Sequence, residues 1–147
     1  MTSDDPLEPL VDVLVRTTFE VTGVLTRLAA SHDLSLTQVR VLGILRDRRG
    51  RVTDLAAYLG LDKSTMSGLI DRAERRGLVA RDKNPHDRRA VDVYLTPAGA
   101  ELTRRAYLEV RRELAPLLER LAADDRSRLV GLLETFLGPE PDTDHAP

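Results

Sequence analysis

A mainly α (α+β) fold is predicted for this 147-residue chain, with a winged helix-turn-helix lobe and a helical dimerisation lobe built from the N- and C-terminal helices. Three observations predict it. Residues 53–89 read as helix, tight turn, helix and two short strands joined by a basic, proline-containing tip. Both ends of the chain carry long apolar stripes at helical spacing. Charge is unevenly divided: residues 61–90 hold eight Lys/Arg against five acids, and the remainder holds 14 bases and 19 acids. A basic segment on an acidic body suits a phosphate-binding surface, although a solvated charged face has the same composition.

The first helix is predicted over about 7–31, from apolar residues at 7, 10, 14, 21, 25 and 28. Their steps of three, four and seven make one stripe. Ser35 and Gln38 have capping-box spacing and open a second helix through about residue 48, which Gly50 ends. Val52 is expected as a one-residue strand stub, with Thr53 capping a third helix over 54–59. Gly60 supplies the turn and Asp62 caps the fourth helix, 63–76, which Gly77 closes in the left-handed conformation. Residues 78–81 and 90–95 alternate as two antiparallel strands around an Asn84-Pro85-His86-Asp87 loop.

Thr96-Pro97 is an N-cap followed by proline at the first helical position. The long helix that follows has Pro116 inside it, so a kink is expected near 112–116. A last helix covers about 124–137 and stops at Gly138. The domain reading is therefore 7–34 with 97–137 as the dimerisation region and 35–96 as the winged lobe. Residues 1–6 and 138–147, rich in Pro and Asp, are expected to be disordered tails. The end helices have more apolar surface than the winged lobe covers. A second copy buries it best, the alternative being that the stripes pack on each other in one chain.

Several function classes fall away. With no cysteine there is no disulfide, thiolate or cysteine-ligated zinc chemistry, and His32, His86 and His145 lack metal-ligand spacing. No Ser/His/Asp constellation or phosphate-cradling glycine loop supports an enzyme, so no catalytic residue and no cofactor are assigned. No run of about 18 apolar residues is present, and a cytoplasmic location is the default expectation.

The fourth helix is the candidate reader of duplex DNA. Leu61, Met66, Leu69 and Ile70 form its inner side. Lys63, Ser64, Thr65 and Ser67 lie at its N-terminal end, where short polar groups reach base edges or phosphates, and Arg72 follows a turn later. Arg88 and Arg89 lie just past the hairpin tip, placed for the minor groove, with Asp87 near enough to hold the Arg89 guanidinium. Arg81 and Lys83 are assigned to phosphate.

These residues resemble the MarR family of multiple-antibiotic-resistance regulators. The similarity rests on Val52-Thr53-Asp54-Leu55-Ala56, Ser64-Thr65-Met66-Ser67, Leu69-Ile70-Asp71-Arg72, Arg76-Gly77-Leu78-Val79, Asp87-Arg88-Arg89-Ala90 and Leu95-Thr96-Pro97-Ala98-Gly99. Leu34-Ser35-Leu36-Thr37-Gln38 fits the start of the family's second helix. The resemblance implies a homodimeric transcription factor, usually a repressor, on pseudo-palindromic operators, released by small and often aromatic or phenolic ligands. It makes Arg89 the wing arginine with Asp87 as its partner. Gly68 departs from the pattern, where many members carry a larger polar or basic residue.

The resemblance also places a ligand crevice among helices one, two and five, here offering Arg16, Phe19, Val39 and Tyr107. Having no tryptophan and only three Tyr and two Phe, the chain has little capacity for stacking a ligand. A constitutive DNA-binding regulator without an effector, and a winged-helix protein-interaction module, remain alternatives at this point.

Overall fold

The computed structural model describes residues 5–139, so the expected disorder of the tails falls almost wholly outside the described residues. Helix α1 (Glu8–Ser31) opens without a side-chain cap. Its end is held by the rest of the chain: Arg76 donates to the carbonyls of His32 and Asp33 at 2.9 and 2.8 Å.

The capping box forms as the spacing predicts. Ser35 Oγ accepts the N–H of Gln38 at 3.1 Å, and the Gln38 side chain accepts that of Ser35 at 2.9 Å. It starts α2 (Leu36–Leu45), which ends about a turn earlier than expected. Gly50 is no helix stop. It belongs to β1 (Gly50–Arg51), where an added Cβ would meet Leu55 Cγ at 3.3 Å. The chain must leave α2 early to bring this edge strand beside its partner.

Because β1 comes sooner, α3 (Val52–Leu59) also begins sooner. Val52 is its first residue rather than a strand stub, and extended Arg51, not Thr53, occupies the N-cap. Gly60 makes the turn at φ 65° and Asp62 caps α4 (Lys63–Arg75), both as expected. Gly77, at φ 72°, passes the chain into β2 (Val79–Lys83), and β3 (Val91–Leu95) returns antiparallel to it. The sheet order is β1-β3-β2, with Gly50 opposite Val93 and Val79 opposite Leu95.

Thr96 caps α5 (Pro97–Leu118) through its hydroxyl, and the helix runs through Pro116 to end two residues later. Helix α6 (Ala123–Leu137) closes at Gly138. The core lies where α2, α3 and α4 meet the sheet: Leu55, Met66, Ile70, Val79 and Val93 are fully buried. By contrast, every residue of α6 is exposed.

Candidate nucleic-acid interface

Helix α4 buries Met66, Leu69, Ile70 and Ala73, and that choice of inner face dictates its outer one. Lys63, Ser64, Thr65 and Arg72 are exposed and Ser67 is half-buried. The head of the helix is organised by Asp62. Its carboxylate accepts from Ser64 Oγ at 2.7 Å, the Thr65 N–H at 2.7 Å and Thr65 Oγ1 at 3.0 Å. The Ser64 hydroxyl, then the Thr65 amide and hydroxyl, hold the Asp62 carboxyl down at about 2. Both hydroxyl protons are thereby directed at Asp62, and the two oxygens face outward as acceptors. At Gly68, Nη1 of Arg72 lies 3.7 Å from where a Cβ would sit, so the arginine one turn on covers the gap left by the missing side chain.

The wing presents Lys83, Arg88 and Arg89, all exposed. Asp87 accepts the backbone N–H of Arg89 at 3.0 Å, and its other oxygen lies 4.0 Å from Arg51 Nη2. The expected side-chain pair between Asp87 and Arg89 is therefore replaced by a backbone contact that shapes the tip and leaves the Arg89 guanidinium outward. Arg81 also departs from expectation. It spans from β2 to α4, donating to Asp71 at 2.6 Å and Glu74 at 2.9 Å. Contact with phosphate would break two charge-assisted bonds, so the role assigned to Arg81 is revised to bracing wing against helix.

The run Arg46-Asp47-Arg48-Arg49-Gly50-Arg51 is a basic cluster that lies outside the helix-turn-helix pattern and so carries no site assignment from sequence. In the structure it borders both the wing and a cavity. That cavity, about 590 Å³, is lined among others by Leu25, Leu28, Val39, Tyr58, Leu102 and Tyr107. Of the four residues expected there, Val39 and Tyr107 line it and Arg16 and Phe19 do not. Both lie on the exposed N-terminal half of α1, beyond the stretch that packs on α2 and α5, and Phe19 is 71% exposed. At the cavity edge the Arg46 guanidinium lies over the Tyr107 ring, 5.2 Å from its centroid, and bonds Asp47 at 3.1 Å.

A model of the MarR family matches residues 32–90. The homoprotocatechuate degradative operon repressor of Escherichia coli is 30% identical over 107 residues, 72% of this chain and 72% of that protein. The chain belongs to the MarR family. Its winged helix-turn-helix fold is that of the family's solved structures, including a mutant E. coli MarR complexed with operator DNA. That structure is 27% identical with TM-score 0.64, over 90% of this chain and 94% of that one. The relatives are transcriptional regulators rather than enzymes. Another relative, the HTH-type transcriptional regulator YfiV of Bacillus subtilis, is 34% identical over 64% of this chain, which spans 59% of its length. Among the described residues no helix is long and apolar enough to cross a membrane, and no cluster of His, Cys, Asp or Glu is set to hold a metal.

Proposed function

We propose that this MarR-family protein is a cytoplasmic, homodimeric regulator that binds a pseudo-palindromic operator, represses transcription and is released by a small ligand. The observation that carries the reading is the joint presentation of an exposed polar helix head (Lys63, Ser64, Thr65, Arg72) and a wing tip bearing Arg88 and Arg89 on one small lobe. A helix in the major groove with a basic hairpin beside it is how such lobes read DNA. Homodimerisation is supported by α6, exposed along its whole length while carrying Leu129, Leu132, Leu133 and Phe136. Release by a ligand is supported by the mostly apolar cavity, whose wall residues Arg46, Asp47 and Arg48 lead directly into Arg49 and β1 beside the wing. The names of two relatives, an operon repressor and a regulator crystallised with its operator, agree with this.

Selection of bound duplexes from a random pool tests the reading. A palindromic site about one helical turn between half-site centres is expected. On that site Arg89→Ala weakens binding about tenfold or more at fixed salt and lowers the salt slope by about one, with no change in melting. An unshifted random pool, or full affinity in the Arg89→Ala protein, rejects it. A screen of small aromatic acids against the complex then separates a ligand-released repressor from a constitutive one.

A further inference from the structure

Asp92 is an odd residue for its place. It lies in the middle strand of the sheet, with its side chain only 6% exposed. Its cross-strand neighbours are Arg51 on one side and Asp82 on the other, so a second carboxylate stands beside it. A buried carboxylate is costly unless paired, and a β-branched residue suits a central strand better. What the aspartate gains is two partners. Arg49 Nε lies 3.5 Å from its Oδ2, while the same guanidinium covers the Tyr94 ring at 4.6 Å. Asn84 Nδ2 donates to its Oδ1 at 3.0 Å.

Asn84 is the base of the wing tip. Its Oδ1 accepts the N–H groups of His86 and Asp87 at 2.8 and 3.0 Å, and its own N–H donates to the Ala90 carbonyl at 2.9 Å. Only one orientation of the side-chain amide satisfies these contacts: oxygen toward the tip, nitrogen toward the acceptor-only carboxylate. Asp87, fixed in this way, receives the N–H of Arg89. A continuous set of contacts, an ion pair followed by hydrogen bonds, therefore runs from Arg49, through Asp92 and Asn84, to the residues that carry Arg88 and Arg89.

We infer that Asp92 is the positioning residue of the wing: it anchors Asn84 from the sheet and so aims Arg88 and Arg89. The inference rests on the DNA-binding reading above. Asp92 is buried, so it is placed to act through the tip rather than by contact. Its effect is confined to the geometry of the tip, which makes it separable from a general contribution to folding.

The test uses the full chain on its selected operator at fixed salt. Asp92→Asn is nearly isosteric, but Asn84 and Arg49 stand on different oxygens of the carboxylate, and an amide turns one of those positions into a donor. In the exchanged pair Asn84→Asp with Asp92→Asn, a carboxylate at 84 accepts the tip amides and the side-chain amide of position 92, whose oxygen faces Arg49. We expect Asp92→Asn to weaken binding about tenfold, the exchanged pair to return to within about twofold, and Asp92→Asn to add less than about twofold to Arg88→Ala/Arg89→Ala. Full affinity in Asp92→Asn, an equal loss in the arginine-free background, or no rescue by the exchanged pair overturns the inference. So does loss of the melting transition in Asp92→Asn, which makes the carboxylate a requirement of the sheet. Failure of the unaltered protein to bind any duplex removes the DNA-binding reading as well, and that outcome is recognised without any variant.

Discussion

Three donors converge on one carboxylate at the head of the helix proposed to read DNA, and this fixes what that helix offers. Because Ser64 and Thr65 give their hydroxyl protons to Asp62, their oxygens are offered outward as acceptors, the complement of adenine and cytosine amino groups. The capping role of Asp62 was legible from its position before an apolar-periodic run. The sharing of hydroxyls was not, since it depends on side-chain rotamers that spacing leaves free. Its pH signature follows from linkage. The folded carboxyl sits at about 2, below its ordinary value of 3.8, so its stabilisation is complete above 3.8 and is lost as pH falls toward 2. A carboxyl titration by NMR should find the Asp62 midpoint near 2, and Asp62→Ala should lower the melting temperature by a few degrees at neutral pH but not at pH 2. A midpoint at 3.8 would mean that the hydroxyls do not engage the carboxylate in solution.

Between elements, the joint where the wing returns to α5 is closely packed. Thr96 donates its N–H to the Leu78 carbonyl at 3.1 Å, caps the helix at Gly99 N, and donates its hydroxyl to Gly77 O. This brings the backbone of Gly99 so close that an added Cβ would overlap the Leu78 carbonyl oxygen, a group that cannot yield without moving β2. Gly99→Ala is expected to cost about 2–3 kcal/mol in urea unfolding. Gly43→Ala, in helix α2 with nothing within 4 Å of the new methyl, is expected to stabilise by about 0.5–1 kcal/mol. Equal effects at the two sites would show that α5 is free to shift away from the sheet. The sequence announced the helix start through Thr96-Pro97, yet not the close approach, because Leu78 lies 18 residues earlier than the cap. The same limit explains the displaced starts of β1 and α3. Gly50 reads locally as a stop, and only its distant partner Val93 makes it a strand. Arg81, likewise, looks like a phosphate ligand until its contacts with Asp71 and Glu74 are seen.

At the scale of the whole molecule, the apolar stripes were readable and their partner was not. In the structure α1 spends only its second half on α2 and α5, where Val24, Leu28 and Ala29 are buried, while Leu10, Val11 and Phe19 stay exposed. Helix α6 has no fully buried residue, although Leu129, Val130, Leu132, Leu133, Phe136 and Leu137 lie along it. Covering the apolar surface these six still expose favours association, and a two-fold interface gains it twice. Set against an association cost of about 4–15 kcal/mol, a gain of this kind supports the proposed dimer. Leu132 and Phe136, 69% and 64% exposed, separate the two states cleanly. In a lone chain Leu132→Asp with Phe136→Glu places charges in water and changes stability by less than about 0.5 kcal/mol per site. In a dimer closed through α6 the same charges are buried without partners, at a cost on the order of several kcal/mol each. Sedimentation should therefore show a folded monomer of unchanged helicity. Its affinity for the palindrome should fall by about a hundredfold or more, because the second half-site no longer binds as part of one particle. A variant that still sediments as a dimer would move the interface elsewhere. One that is monomeric yet binds the palindrome undiminished would show that each lobe reads its half-site alone.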